Sequence, residues 1–218
     1  MKEYLKALKN CYENGEDIVS RAGKVRRLFG HQMKFNLEKG FPIVTTKKIA
    51  WKSIVSELLW FLEGSNDERR LAEILHEKNR SELNDKRTIW TDNANSSYWK
   101  PKAKFEGDVG KIYGVQWRNF NGVDQIKELI DGIKSQPQSR RHILTAWNPP
   151  DIDKMSLPPC HSFSQFFVSN NKLSCQLYQR SCDMFLGVPF NISSYCLLIH
   201  ILAKECNMAV GNFIHTLG

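Results

Sequence analysis

The chemistry open to this 218-residue chain is narrowed first by what the sequence lacks. There is neither a GxGxxG nor a GxxxxGK[ST] run, so no glycine loop can cradle a phosphate, and any nucleotide must be held by arginines. There is no CxxC pair. Cys196 and His200 lie one helical turn apart with Cys206 beyond, but no second histidine completes a tetrahedral set, so all three read as core residues and no metal is expected. Cys11, Cys160, Cys175, Cys182, Cys196 and Cys206 are widely spaced in a chain too large for a disulfide scaffold, which points to reduced thiols. Repeats and low-complexity tracts are missing. The N-terminal MKEYLKALKN has no apolar signal core, which places the chain in the cytoplasm. The apolar window from Met184 to Ala203 is interrupted by Pro189, Asn191, Ser193, Ser194, Tyr195 and His200, so it reads as a buried core helix rather than a membrane span.

What is present suits a globular protein. A chain of this length buries about 70% of its unfolded surface and reads as one domain over residues 1–218. The net charge of +8 is spread out, with nineteen basic against fourteen acidic residues in 1–100 and twelve against nine in 101–218. That excess implies an anionic partner, either nucleic acid or a phosphorylated small molecule.

Patterning gives the elements. Residues 1–14 form an amphipathic helix ending at Asn14-Gly15, a glycine-containing loop spans 20–24, and 28–37 alternate like a strand. Ile43 to Thr46 is a short β-branched run, Ala50 to Leu62 a strongly apolar helix carrying Glu57, and Asp67 to Lys78 a surface helix. Residues 79–109 lose periodicity and read as an irregular, variable lobe around Trp90 and Trp99. A helix over 123–135 and a strand over 142–147 follow, then a hairpin of 163–168 and 173–179 around Asn170-Asn171, and a long helix from Gly187 to about Cys206. This order predicts an α+β fold, a mixed or antiparallel sheet packed against helices.

Pro158-Pro159 stiffen the turn that presents Cys160. An ordinary thiol is only a few per cent thiolate at neutral pH, and lowering its pKa to about 7 takes roughly 2 kcal/mol, which a fixed cation such as Arg180 supplies. Arg140-Arg141 read either as a solvated corner or as a phosphate clamp. On its apolar helix, Glu57 must be paired, protonated or functional. Asn191 either caps the long helix or reads a ligand's amide edge.

The run Arg141-His142-Ile143-Leu144-Thr145-Ala146-Trp147-Asn148, then Leu157-Pro158-Pro159-Cys160-His161 and Gln165-Phe166, resembles the active-site signature of thymidylate synthases. Leu28-Phe29-Gly30, Gly40-Phe41-Pro42, Thr45-Thr46-Lys47, Glu57 to Leu62, Tyr113-Gly114 with Gln116-Trp117-Arg118, and Leu173 to Asn191 extend the resemblance over nearly the whole chain. It implies conversion of dUMP to dTMP, with 5,10-methylenetetrahydrofolate as one-carbon donor and reductant. In that scheme Cys160 attacks uracil C6, Glu57 organises proton transfer, Tyr113 helps remove the C5 proton, and Asn191 bonds O4 and N3–H. Arg21, Arg180 and Ser181 match phosphate ligands, and His161, Gln179, Cys182 and Asp183 complete the dUMP set. Trp90, Asp183 and Gly187 face the folate. Arg140 and Arg141 are donated across an interface of a homodimer whose sheets pack together.

Departures accompany the match. The loop from Ser20 to Val25 is one residue shorter than the family's first phosphate loop, Lys111 stands where proline is usual, and Asn93 replaces a second tryptophan. Family members continue past Gly218 with an Asp-x-His-x-Tyr segment and a lid, roughly a fifth of their length. The expectation is therefore apolar surface bare on the long helix and hairpin, and a site open to water. The alternatives are an inactive remnant that only folds or dimerises, and a basic nucleic-acid-binding protein. The second is opposed by the lack of any aromatic and basic stripe.

Overall fold

In the computed structural model, which describes residues 1–20 and 23–218, five strands form one mixed sheet and seven helices surround its inner face. Helix α1 (Lys2–Asn14) ends at Gly15, whose backbone is extended (φ −76°) rather than left-handed. The residue is needed there for space: a Cβ would lie 2.4 Å from the Cys11 carbonyl and 2.8 Å from that of Arg27. Strands β1 (Glu16–Ser20) and β2 (Gly23–Arg27) then pair antiparallel, so Ser20, Gly23 and Lys24 of the expected loop are paired strand residues. Hydrophobic alternation gave no sign of this pairing, because cross-strand charge pairs hold it. Arg26 Nε donates to Asp17 at 2.8 Å and Arg27 Nε to Glu16 at 2.6 Å.

Strand β3 (His31–Asn36) occupies the core of the predicted 28–37 run. Residues 43–46 take no regular structure, although Val44 is buried. Helix α2 (Trp51–Glu63) buries Ile54, Leu58, Trp60 and Phe61 and stops at Gly64 in the left-handed region (φ 75°), where glycine is favoured. Helix α3 (Glu68–His76) is capped by Asp67, which accepts from the Arg69 N–H at 2.9 Å.

The 79–109 stretch holds two short 3-10 turns and α4 (Thr91–Ala94), yet it is anchored. Buried Glu68 accepts from Arg69 Nε and Nη2, each at 2.7 Å, from Thr88 at 2.7 Å and from Thr91 at 2.6 Å. Helices α5 (Tyr113–Arg118) and α6 (Gln125–Ser135) lead to β4 (Ile143–Thr145), three residues rather than the six expected. β5 (His161–Ser169) and β6 (Lys172–Gln179) form the predicted hairpin, with Asn170 and Asn171 at φ 50° and 56°, the turn geometry asparagine tolerates.

Helix α7 (Val188–Glu205) then crosses to β7 (Ala209–Leu217), which pairs parallel to β6 and antiparallel to β3. The sheet order is β3-β7-β6-β5-β4, so β7 is an interior strand between β3 and β6. The sequence reading had no strand there. The buried positions of β7 are Gly211, Phe213, His215 and Leu217, and glycine and histidine break the apolar alternation that would have announced it.

The helices cover only one face of the sheet. On α7, Val188, Ile192, Tyr195, Cys196, Leu198, Ile199 and Leu202 are all buried, so the apolar surface expected on that helix is covered. On the open face of the hairpin Phe163, Phe167 and Tyr178 are 41, 55 and 40% exposed. All six cysteines are free thiols, and no helix among the described residues is long and apolar enough to cross a membrane.

Candidate active site

Cys160 sits at the entry to β5, held by contacts from two sides. Its backbone N–H donates to Tyr113 Oη at 2.7 Å, and its carbonyl accepts from the Arg180 N–H at 2.8 Å. The Arg180 side chain reaches back over the two prolines, with Nε 2.8 Å from the Pro159 carbonyl and Nη2 3.0 Å from that of Pro158. Its guanidinium carbon also lies 5.3 Å from the centre of the Trp147 ring. One arginine therefore fixes the turn and places a positive charge beside the thiol. The charge does not win outright. Burial raises the Cys160 pKa above the ordinary thiol value, and Arg180 only partly reverses this, contrary to the lowered value expected from sequence.

Below Cys160 lies an aromatic floor. The Tyr113 ring stacks on His161 with centroids 3.9 Å apart, Phe61 is 5.0 Å from Tyr113, and Trp90 is 6.0 Å away. Burial holds the Tyr113 hydroxyl well above its usual range, with a further push from Cys160 and Glu57. His161 Nδ1 is 2.9 Å from Tyr195 Oη, and burial depresses its pKa to about 3, so its ring is neutral near pH 7. Among the described residues Glu57 has no cationic partner. Burial raises its pKa, opposed by the Trp90 indole N–H, which donates to Oε1 at 2.7 Å. That contact commits the polar edge of Trp90 to Glu57, and it is Glu68 that pins the segment carrying Trp90.

On the far side of the thiol, Gln179, at the end of β6, meets Asn191, in the first turn of α7. Gln179 Nε2 donates to Asn191 Oδ1 and to the Ser181 carbonyl, both at 3.1 Å. The capping alternative for Asn191 is thereby excluded, since α7 has no side-chain cap. Ser181 and Asp183 are exposed. Asp183 Oδ1 accepts from the N–H groups of Phe185 and Leu186 at 2.8 and 2.6 Å. The Cys182 thiol is pushed up to about 11 by burial and by Asp183, which removes it as a competing nucleophile near neutral pH. A Cβ on Gly187 would stand 3.6 Å from Asn191 Oδ1, in ordinary contact with that amide.

Not every expected residue joins this group. Arg140 and Arg141 are exposed beside a surface depression with Gln136, Gln138 and Ser139. The Arg140 carbonyl accepts from Gln165, which is five residues along β5 from Cys160, about 16 Å away. Within one chain they do not reach the thiol. Arg21 lies outside the described residues. Lys111 is also accounted for: its Nζ meets both oxygens of buried Asp151 at 3.1 Å, where Lys154, Gln116 and Asn148 also donate. Those bonds outweigh burial and bring the Asp151 pKa down to about 2. Lys111 thus ties the approach to Tyr113 to the segment before Cys160 instead of facing a ligand. Sequence reasoning also missed His215, whose Nε2 is 2.8 Å from Gln179 Oε1. A lone histidine on an unrecognised strand carried no signal.

The family model for thymidylate synthase matches residues 2–218. A thymidylate synthase of Enterobacteria phage T4 is 48% identical over 219 residues, an alignment covering all of this chain and 75% of that protein. The crystal structure of thymidylate synthase from T4 phage superposes with a TM-score of 0.92 at 47% identity, covering 100% of this chain and 75% of that one.

Proposed function

The chain belongs to the thymidylate synthase family, and on that premise we propose how its own residues carry out the methylation of dUMP to dTMP. The observation that carries the reading is the convergence of Arg180, Tyr113 and the two prolines on one thiol. Cys160 adds to C6 of the uracil ring and makes C5 nucleophilic. Arg180 stabilises the thiolate at that step, and with Arg21 and Ser181 it binds the phosphate. Asn191, held by Gln179, bonds O4 and N3–H of the base. Glu57, protonated more readily than a free carboxyl, passes a proton to and from the pyrimidine. Tyr113 and the neutral His161 beside it assist removal of the C5 proton. When Cys160 leaves C6, the double bond re-forms and the thiolate is regenerated.

5,10-Methylenetetrahydrofolate supplies the one-carbon unit and the hydride. The exposed Asp183 carboxylate and the exposed Phe185 and Leu186 on the same loop, next to Gly187, which puts no side chain beside Asn191, suit a flat heterocycle bearing an amino edge. Trp90 serves this side through Glu57.

The bare aromatic face of the sheet supports a homodimer in which Arg140 and Arg141 reach the partner's phosphate site. That reading accounts for their distance from Cys160 within one chain. Sedimentation at twice the 25.2 kDa chain mass is expected, and a strict monomer would exclude it. We place the enzyme in the cytoplasm, as a single domain over 1–218 with the 79–109 lobe anchored on Glu68.

Tritium release from C5-labelled dUMP tests the assignment. The full chain releases tritium with the folate present, and Cys160→Ser drops the rate by about a thousandfold or more. Release that survives the substitution would remove Cys160 as nucleophile.

A further inference from the structure

The Asn191 amide is nearly symmetric in shape, and its orientation decides what it can read. With Nδ2 outward at one end and Oδ1 at the other, it suits the O4 and N3–H of a uracil. Rotated by half a turn, it suits the amino group and bare N3 of a cytosine. An asparagine alone therefore does not choose between the two bases. Something must hold it in one of its two orientations.

Gln179 does so only if it is itself held, because its amide has the same ambiguity. Two groups contact its head besides Asn191. The Ser181 carbonyl, 3.1 Å from Nε2, can only accept, so it requires the Gln179 amino group on that side. His215 Nε2 is 2.8 Å from Oε1 and must therefore carry the proton. A histidine could in principle switch tautomer and let Gln179 turn over. Here the second nitrogen closes that route: among the described residues His215 Nδ1 is buried with no hydrogen-bond partner, so moving the proton to it would strand an N–H in the core. The residue is fully buried on β7, its ring 5.3 Å from that of Phe213. Burial depresses its pKa to about 3, so it stays a neutral one-proton donor across the working range of pH.

We infer that His215 is the positioning residue that sets the polarity of the base-reading amide, by fixing Gln179 and through it Asn191, so that the site takes a uracil edge and refuses a cytosine edge. This rests on the reading of Asn191 given above.

Two substitutions of similar size separate the donor from the bulk. The Gln side chain places an amide N–H about where His215 Nε2 lies, whereas Met fills the same space with no donor. Binding of dUMP and of dCMP to the full chain, followed by tryptophan fluorescence, should show His215→Gln keeping the wild-type preference for dUMP. His215→Met should lower the dCMP-to-dUMP ratio of dissociation constants by about tenfold or more. Equal weakening of both nucleotides in His215→Met, with the ratio unchanged, would mean that the histidine only fills space and would overturn the inference. Imidazole 15N shifts of the wild-type protein test the same point without any variant. A protonated Nε2 and bare Nδ1 are expected, and a protonated Nδ1 would overturn it even if no variant folds. Wild-type protein that binds neither nucleotide would count against the reading of Asn191, while the tautomer would still decide the coupling between His215 and Gln179.

Discussion

At the scale of single residues, the site shows competition rather than simple activation. Cys160 is half-buried, which costs its thiolate solvation, and Arg180 returns part of that loss. The thiolate therefore forms above the ordinary thiol pKa in the free protein, and removing the cation should move it higher still. Iodoacetamide labelling of Cys160, read by peptide mass across pH, should show the midpoint rising in Arg180→Met and the rate at pH 8 falling several-fold. Arg180→Lys, which keeps the charge but not both proline contacts, should stay nearer the wild type. An unchanged midpoint in Arg180→Met would reject the electrostatic part of the argument. Cys160 and Arg180 could be picked out from sequence because each residue type has little other reason to sit at a stiffened turn. Asp151 and His215 could not, since their roles depend on partners 35 to 40 residues away in sequence.

At the scale of elements, the least periodic stretch proves to be one of the best anchored. The carboxylate of Glu68 gathers Thr88 and Thr91 while paired with Arg69, whose side chain is only 11% exposed. Removing it strands a nearly buried guanidinium and frees the segment that presents Trp90 to Glu57. Glu68→Ala should cost about 3 kcal/mol in urea unfolding and raise hydrogen exchange across residues 88–95. A loss below about 1 kcal/mol with unchanged exchange would show that the lobe is held by packing alone. Periodicity failed in this stretch because its order comes from side-chain hydrogen bonds, which leave no repeat in the sequence. The same limit hid the β1–β2 hairpin, held by Asp17, Arg26, Glu16 and Arg27. Where burial is one-sided and apolar, as in α2 and the β5–β6 hairpin, the pattern was sufficient.

At the scale of the whole molecule, two neutral histidines couple the site to stability. His161 and His215 each titrate near 3 when folded, against an ordinary value of about 6.5. Between those values the unfolded chain takes up a proton that the folded chain refuses. Their stabilising contribution is therefore complete above pH 6.5 and is lost as the pH falls toward 3. Going from pH 7.5 to 5 should cost about 4 kcal/mol from the pair, at about 1.4 kcal/mol per unit and per histidine below 6.5. Glu57 works in the opposite direction, because burial makes its carboxyl easier to protonate in the folded state. Urea midpoints measured at several pH values test this, with the slope flattening in a His161→Asn, His215→Gln double variant. A midpoint that does not move between pH 7.5 and 5 would refute it.

The sequence by itself determined the fold class, most of the helices, the β5–β6 hairpin and the candidate nucleophile, because each is written in local terms: a buried stripe, a turn residue, a thiol behind two prolines. Only the tertiary structure decided that residues 209–217 form an interior strand between β3 and β6. It alone also decided that Trp90 points its N–H at Glu57, and that Gln179 stands between His215 and Asn191. The physical reason is common to all three. A buried polar group must find a partner, and which partner it finds is settled by the packing of distant segments rather than by its neighbours in the chain.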